Sequence, residues 1–237
     1  MKDCSKKMSV IIRTYNEEVH IKDVLESIYS QKYNNFEVII VDSESTDRTL
    51  KICENYPCKI INIKKKRFNY SYSSNIGAIN SSGDILCYLS GHSIIVNNDY
   101  LSYAASLFED DSLGGLYGEV IALKDGSIIE KLFNMIGYIK SLFRGIVYEE
   151  EIHPGILSCS NAMIRKDIWD RHKFKEELGL GGEDVEMAHC ILKDKYNLLK
   201  VPKLLVRHSH GSGLRKFIQE FKAWRVMYNN VLDYISK

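Results

Sequence analysis

The sequence MSVIIRTYNEE at residues 8–18 is followed by NFEVIIVDSESTDRT at residues 35–49. Each stretch is a short apolar run that leads directly into polar, turn-forming residues. Apolar runs of this length are typical of strands that are buried on both faces of a sheet. Between the two runs, apolar residues recur at helical spacing: Val24, Leu25, Ile28 and Tyr29. The segment therefore predicts a strand, a helix and a parallel strand joined by a right-handed crossover.

Polar residues follow both predicted strands at the point where each strand ends. In such sheets, ligands bind outside the carboxyl ends of the strands. That edge would gather six side chains: Thr14, Asn16, Glu17, Asp42, Ser43 and Glu44. An acidic, hydroxyl-rich edge suits a nucleoside better than a naked phosphate. The chain has neither GxGxxG nor GxxxxGKS, which argues against a dinucleotide enzyme and a P-loop NTPase.

The rest of the chain continues the alternation of strands and helices. The patterns predict strands at 8–13, 36–42, 58–63, 84–90, 114–123, near 158–164 and near 203–207. They predict helices at 17–31, 46–55, 71–81, 98–109, about 127–147, about 183–194 and about 212–235. This alternation favours an α/β fold with a mostly parallel sheet covered by helices on both faces.

The chain reads as a single domain, because no repeat or Pro/Gly-rich linker divides its 237 residues, which include only three prolines. We expect two halves, over about 8–95 and about 96–211, and a C-terminal helix over about 212–237.

Composition limits the partners and the compartment. The chain has 32 basic and 31 acidic side chains, so it has no overall attraction to nucleic acid. Six cysteines are scattered without CxxC spacing, which is typical of a reduced, cytoplasmic protein. The N-terminal residues show no signal-peptide pattern and no run approaches 18 apolar residues, so we expect neither export nor a membrane-spanning helix.

Two predicted helices have an apolar stripe. In the helix at 127–147 the stripe is formed by Ile129, Leu132, Phe133, Ile136, Ile139, Leu142 and Phe143. It favours a helix packed on its own domain, with a membrane-surface or acceptor-side helix as the alternative. In the last helix the stripe is formed by Leu214, Phe217, Ile218, Phe221, Trp224 and Tyr228. Here too we expect packing within the domain, with dimerisation or lipid contact as alternatives.

The two opening segments resemble the start of the family 2 glycosyltransferases, GT-A fold enzymes that use nucleotide-diphosphate sugars. The resemblance continues, in order, through KKKRFNYSYSSNIGAINSSGD, ILCYLSGHS, SCSNAMIRKDIW, GGEDVEMA and VRHSHG. Together these segments cover roughly residues 8–212. The resemblance implies a nucleotide-binding half over about 8–95 and an acceptor and catalytic half over about 96–211. The specificity of the resemblance lies in the series, since no single member would be strong evidence.

The resemblance assigns several residues to the donor site. Asp42 matches the carboxylate that accepts from the base, and Thr14 and Glu17 match the loop that borders the nucleoside and ribose. Arg67 lies where related enzymes place a residue near the base or pyrophosphate, a role that suits a guanidinium. Asn75 matches an asparagine of the following helix. Asn161 lies where family members line the donor-sugar or acceptor pocket, although it could equally satisfy backbone groups at a strand edge.

The resemblance also implies a metal site, with one departure. Most family members carry Asp-x-Asp where this chain has Ser90, Gly91 and His92. Loss of both carboxylates disfavours Mg²⁺, whereas imidazole is a good ligand for Mn²⁺ or another transition metal. His92 could instead donate directly to the pyrophosphate. Similar enzymes often complete the metal site with a histidine from the region of VRHSHG, for which His208 is our first choice and His210 could meet phosphate or acceptor.

For catalysis, Asp184 matches the family's general base, which takes the proton of the acceptor hydroxyl. Glu183 would orient the acceptor or the base. The alternative for Asp184 is an acidic residue that stabilises the start of a helix.

The resemblance as a whole implies an inverting glycosyltransferase of cell-surface polysaccharide biosynthesis. Its donor would be a nucleotide-diphosphate sugar, with a UDP-sugar favoured, and its acceptor a glycan or a polyprenyl-linked glycan. We expect a cytoplasmic protein, with peripheral contact at the inner face of the membrane as an option. The alternatives are an inactive nucleotide-sugar-binding partner subunit and a sugar nucleotidyltransferase, although the Gly-rich loop expected of the latter is missing from RTYNEEV.

Overall fold

The computed structural model of the protein describes residues 6–179, 181–209 and 214–237. The strands in this part of the chain are β1 (Met8–Thr14), β2 (Phe36–Asp42), β3 (Cys58–Asn62), β4 (Ile85–Ser90), β5 (Ile94–Ile95), β6 (Leu113–Ile121), β7 (Val147–Tyr148), β8 (Asn161–Arg165) and β9 (Asn197–Arg207). The α-helices are α1 (Ile21–Tyr29), α2 (Thr49–Cys53), α3 (Tyr70–Ile79), α4 (Tyr100–Leu107), α5 (Ile128–Arg144), α6 (Lys166–His172), α7 (Glu183–Lys193) and α8 (Leu214–Ile235).

The described strands form one sheet in the order β3-β2-β1-β4-β8-β6-β9-β5, and β7 also pairs with β9. The first four strands in that order are parallel to one another, and β6 is parallel to β9. β8 runs antiparallel to both β4 and β6. The predicted α/β fold, with a mostly parallel sheet and flanking helices, is confirmed.

The central strands are buried on both faces, as their unbroken apolar sequences predict. Val10 and Ile12 of β1 pack into one hydrophobic cluster, whereas Ile11 between them packs into the other. All three side chains are fully buried, and full burial of each contributes roughly 1.5–3 kcal/mol. This two-sided burial fixes the register of β1 against its neighbours, since a slip of one residue would exchange its two faces.

Several element boundaries differ from the prediction. The helix predicted at 17–31 begins only at Ile21. The backbone before it forms a turn, in which the N–H groups of Glu17 and Glu18 donate to the Thr49 and Asp47 side chains. The strand predicted near 203–207 is only the second part of β9, which begins at Asn197. The sequence patterns did not predict α6, β5 or β7.

The helix predicted at about 127–147 is observed as α5, but our expectation that its apolar stripe packs on the domain is wrong. α5 lies against β6 and β9. Most of the stripe is nevertheless exposed, including Leu132, Ile136, Ile139 and Phe143. The side chains that α5 buries are polar.

The C-terminal helix α8 packs on the domain through its second half. Val231 is fully buried and the Tyr228 hydroxyl donates to the carbonyl oxygen of Ile152 at 3.0 Å. Of the stripe predicted for this helix, the side chains at 214–218 and 221 lie outside the described part of the structure. None of the described helices is both long enough and apolar enough to cross a bilayer.

Candidate active site

The register of the parallel strands brings Thr14 and Asp42 together at the carboxyl edge of the sheet. The two residues are directly paired across β1 and β2, and both are buried. The Thr14 hydroxyl donates to Asp42 Oδ1 at 2.9 Å, and the backbone N–H of Ser45 donates to Oδ2 at 2.8 Å. The Ser45 hydroxyl also donates to Oδ1. These bonds fix the carboxylate in one orientation at the predicted nucleoside edge.

The loops after β1 and β2 are tied to each other next to this pair. The Asn16 N–H donates to the Ser45 hydroxyl at 2.9 Å, and Asn16 Oδ1 accepts from the Thr46 N–H at 2.8 Å. Asn16 has φ of 54°, a left-handed conformation that Asn tolerates better than most residues. Ser43 is buried, and its N–H donates to the Thr14 carbonyl at 3.0 Å. The structure thus places Asn16 and Ser43 beside the Thr14–Asp42 pair.

Glu17 meets the segment that follows β4. Glu17 Oε1 lies 2.8 Å from His92 Nδ1. A Cβ atom on Gly91 would lie 2.5 Å from Glu17 Cγ, so only glycine fits at this position without a shift of the Glu17 side chain. The Glu17 carboxylate, from the loop after β1, therefore lies against the Ser90-Gly91-His92 segment that stands in place of Asp-x-Asp.

His92 and His208 are neighbours, as the sequence predicts. Their rings are stacked, with centroids 4.5 Å apart and planes inclined by 23°. His208 Nδ1 lies 3.1 Å from the Ser90 hydroxyl and 3.3 Å from that of Ser93. In both rings Nδ1 is thus engaged by a neighbouring side chain, an arrangement that orients Nε2 as the ligand atom in metal-binding histidines.

The donor set for a metal is nevertheless small. Among the described residues, no group of three or more His, Cys, Asp or Glu side chains is arranged to hold a metal ion. Imidazole suits a transition ion, and among the described residues no third ligand joins His92 and His208 in a metal site. His210 lies outside the described residues.

Glu183 and Asp184 begin α7 directly after two glycines with positive φ, 138° at Gly181 and 94° at Gly182. Glu183 is buried and lies 3.5 Å from the Arg13 guanidinium. Asp184 is partly exposed, and its Oδ1 accepts from the N–H of Val185 at 2.8 Å. The pair therefore presents one enclosed carboxylate and one that borders open space.

Burial dominates the electrostatics of this pair. Desolvation raises the pKa of Asp184 to about 7, and the neighbouring Glu183 charge adds to the rise. Burial also raises the pKa of Glu183, against the opposing effect of the Arg13 guanidinium. A carboxylate that titrates near neutrality is matched to general-base catalysis.

Arg13 connects the two parts of the site, a role that the sequence patterns did not reveal. It precedes Thr14 on β1, is paired with Ser90 of β4, and reaches Glu183 with its guanidinium. The guanidinium also lies over the Tyr70 ring at 5.1 Å. The available signal was a lone arginine in an apolar strand, because a largely buried charge requires an acidic partner.

Two residues predicted for the donor site, Arg67 and Asn75, contact residues other than Thr14, Asp42 and His92. Arg67 is exposed and lies over the Tyr72 ring at 4.7 Å. The buried Asn75 amide binds the backbone of Phe174 and accepts from the Trp169 indole at 3.0 Å. These bonds give Asn75 a packing role, and donor binding by Arg67 or Asn75 stays a prediction.

Asn161 binds backbone groups, as our alternative interpretation of this residue predicted. Its Nδ2 donates to the carbonyl oxygens of Glu119 and Leu204, at 2.8 and 2.9 Å, and its Oδ1 accepts from the Tyr100 hydroxyl. The side chain thus satisfies backbone groups between β6 and β9. It also borders a cavity of about 210 Å³ next to α5, so contact with a ligand stays a prediction.

The chain is similar to curated proteins of surface-glycan synthesis. It is 24% identical over 220 residues to the O-antigen chain rhamnosyltransferase RfbN of Salmonella typhimurium, across 91% of this chain and 70% of that protein. It is 26% identical over 238 residues to the minor teichoic acid biosynthesis protein GgaB of Bacillus subtilis, across 97% of this chain but only 26% of GgaB.

The fold is that of solved GT-A glycosyltransferases. The S. aureus TarS 1-349 structure superposes with a TM-score of 0.66 at 21% identity, over 86% of this chain and 60% of that one. The mannosyltransferase PcManGT of Pyrobaculum calidifontis, in complex with GDP-Man and Mn²⁺, superposes with a TM-score of 0.65 at 20% identity, over 97% of this chain and 63% of that one. The chain thus spans less than two thirds of either solved protein.

The model of Glycosyl transferase family 2 matches residues 9–172, which include both strand ends of the nucleoside edge, the Ser90-Gly91-His92 segment and Asn161. The chain belongs to glycosyl transferase family 2.

Proposed function

We propose that the protein is an inverting glycosyltransferase that moves a sugar from a nucleotide-diphosphate donor to a hydroxyl of a glycan or lipid-linked acceptor. One observation carries the proposal: Arg13 joins the nucleoside edge at Thr14 and Asp42 to the acidic start of α7. A donor held at the first would have its sugar directed toward the second. Family membership and the GT-A fold support the same class of reaction.

Asp184 would act as the general base. It would take the proton from the acceptor hydroxyl while that oxygen forms a bond to the anomeric carbon of the donor sugar. The bond from the anomeric carbon to the leaving phosphate oxygen would break on the opposite side, releasing the nucleoside diphosphate and inverting the configuration. The pKa of about 7 supports this role, since an ordinary aspartate would be a weaker base.

Glu183 and Arg13 would position the base. The Arg13 guanidinium neutralises Glu183 and is held by the Cys159 carbonyl at 3.4 Å and by the Ser74 hydroxyl at 3.4 Å. This fixed ion pair would keep the start of α7 against the end of β1 during the reaction.

A divalent ion would be held by His92 and His208 through Nε2, with Mn²⁺ favoured over Mg²⁺ because imidazole is the softer ligand. Such an ion, when bound, neutralises charge on a diphosphate leaving group. The PcManGT structure is a complex with Mn²⁺, which supports testing that ion first.

The names of the relatives support a role in polysaccharide synthesis, and work at the cytoplasmic side of a membrane stays our prediction. RfbN is an O-antigen rhamnosyltransferase and GgaB a teichoic acid biosynthesis protein. A UDP-sugar is our first choice of donor, because a TarS structure contains UDP-GlcNAc.

A donor panel tests the proposal. UDP-, GDP- and dTDP-sugars are incubated with the protein, with and without Mn²⁺, and release of nucleoside diphosphate is measured alongside thermal shift. We expect at least one donor to stabilise the protein and to be turned over. Asp184→Asn should lower turnover by about 10²- to 10⁴-fold but keep the thermal shift, whereas Asp170→Asn, at an exposed position of α6, is the matched control and should keep both. Stabilisation without turnover in the wild type, with suitable acceptors present, would instead identify an inactive nucleotide-sugar-binding subunit.

A further inference from the structure

The helix α5 is packed with its polar face inward. Glu130 and Ser141 are its buried residues, and Asn134 and Tyr138 are half-buried. With 3.6 residues per turn, these four positions lie on one side of the helix. Glu130 also completes a capping box with Ser127, so its carboxylate serves the helix start. Amphipathic helices of globular domains normally have the opposite orientation.

The other side of α5 presents a broad apolar surface. Phe143 is 89% exposed, Ile128 82% and Leu132 63%. Four more apolar side chains of this face are exposed to a lesser degree: Met135, Ile136, Ile139 and Leu142. Single exposed apolar residues are ordinary, but a continuous face on one helix marks an interaction surface.

The exposed charges that α5 itself carries are all of one sign. Lys131, Lys140 and Arg144 are exposed and flank the apolar residues on the two sides of the helix. The one acidic residue of α5, Glu130, is buried in the capping box. The exposed surface of the helix therefore combines an apolar centre with a purely basic border.

We propose that α5 is an in-plane membrane helix, which inserts its apolar face into the interface of a bilayer containing anionic lipid. An apolar face with Phe and Leu, bordered by Lys and Arg, has the composition of helices that lie at the headgroup boundary. The basic border complements anionic headgroups, and each basic residue near such a surface adds to the attraction.

A second copy of the chain fits this surface less well. If two α5 helices packed face to face, the basic borders of both copies would meet. The helix offers no exposed acidic residue to pair with them. Like charges brought together at an interface oppose association, so charge complementarity favours anionic lipid.

The position of α5 links membrane contact to the acceptor, an inference that rests on the proposed function. The helix lines the 210 Å³ cavity through Asn134 and Gly137, and Tyr117 and Asn161 line it as well. A bilayer at α5 would therefore lie beside a pocket in the acceptor half of the chain. This arrangement suits an acceptor whose glycan is carried on a lipid.

Vesicle sedimentation of the whole chain tests the proposal. The probes are vesicles of phosphatidylcholine alone and vesicles with about one-third phosphatidylglycerol. We expect binding to the anionic vesicles that weakens as salt is raised. The double variant L132E/F143E should bind at least about tenfold more weakly, because it places two charges in the inserted face. Ile79→Glu is the matched control: Ile79 is 60% exposed at the end of α3, and its replacement should leave vesicle binding unchanged.

A second variant tests the role of charge. K131Q/K140Q/R144Q should lose the preference for anionic over neutral vesicles while retaining the apolar face. Circular dichroism and melting temperature confirm that each variant is folded, and nucleoside diphosphate release with a soluble acceptor should be unchanged in all of them. Wild-type vesicle binding equal to that of L132E/F143E would overturn the proposal. So would a dimer of the wild type that this variant converts to monomer without any vesicle binding. If the protein turned over no nucleotide sugar, the vesicle-binding result could still be interpreted. A failure of the proposed function is therefore distinguishable from a failure of the membrane-helix proposal.

Discussion

Replacement of Asp184 by Asn should separate catalysis from binding. Asn keeps the size of the side chain. Its Oδ1 can still accept from the Val185 N–H, which donates to Asp184 Oδ1 at 2.8 Å in the wild type. The change removes only the basicity of the group. Turnover should therefore fall by about 10²- to 10⁴-fold, the usual contribution of a general base, with donor affinity nearly unchanged.

The wild-type pH profile gives the same prediction a second, independent form. With a pKa of about 7 for Asp184, only about one-tenth of the molecules carry the deprotonated base one pH unit below that value. Turnover should rise with pH, reach half its plateau near pH 7 and level off above it. Asp184→Asn should lose this acid limb.

The contribution of Asp184 to the free energy of unfolding should change with pH in the opposite direction to turnover. The folded-state pKa of Asp184 is raised above its ordinary value of 3.8, so the folded protein binds the proton more tightly than the unfolded chain. The group's contribution to stability is therefore complete below about pH 4 and is lost as pH rises through about 7. Asp184→Asn should melt at a higher temperature than the wild type at pH 8, and the difference should shrink toward pH 4.

The assay is initial-rate release of nucleoside diphosphate between pH 5.5 and 9, with donor affinity measured by titration calorimetry. A variant that keeps near wild-type turnover would refute the role of base. If donor binding collapsed with turnover and the variant melted at a lower temperature at pH 8, Asp184 would be a structural residue of the α7 start instead.

Three further outcomes are expected. Asp42→Ala should weaken nucleotide binding by roughly 1–3 kcal/mol, the cost of leaving hydrogen-bonding partners unsatisfied, and unchanged calorimetric affinity for every nucleotide would remove Asp42 from the site. Dialysis against EDTA should abolish turnover, and Mn²⁺ should restore it better than Mg²⁺ because His92 offers an imidazole; full activity of the metal-free protein would leave His92 as a direct donor to the pyrophosphate. Arg13→Met should shift the acid limb of the pH profile, because the guanidinium acts on the pKa of both Asp184 and Glu183, and a profile that stays in place would show that the ion pair does not act on the base.

The parts of the fold that depend on local pattern were predictable from the sequence. β2 was predicted with its observed bounds, and β1 within one residue, because strands buried on both faces require unbroken apolar runs. The start of α1 was predicted at residue 17 but lies at Ile21. The turn before it is tied to a distant loop, where Thr49 and Asp47 accept from the N–H groups of Glu17 and Glu18. Such tertiary contacts leave no local signal.

Two larger features depend on the way in which elements pack. The periodicity of α5 showed an apolar stripe, but periodicity carries no information about which face of a helix meets the sheet. The role of Arg13 depends on the position of Glu183, 170 residues further along the chain, and becomes visible only once β1 and α7 are placed together. The convergence of Thr14, Asp42 and Glu17 at one edge, in contrast, follows from parallel strand order alone.

The central claim, inverting transfer from a nucleotide sugar with Asp184 at the start of α7 as the base, is tested most directly by proton NMR of the reaction itself. The anomeric resonance of the donor sugar is followed with time in the presence of a glycan acceptor and Mn²⁺. The account predicts that this resonance decays while a product resonance of opposite anomeric configuration grows, and that Asp184→Asn leaves the donor unchanged. A product with retained configuration, or equal conversion by the variant, would contradict it.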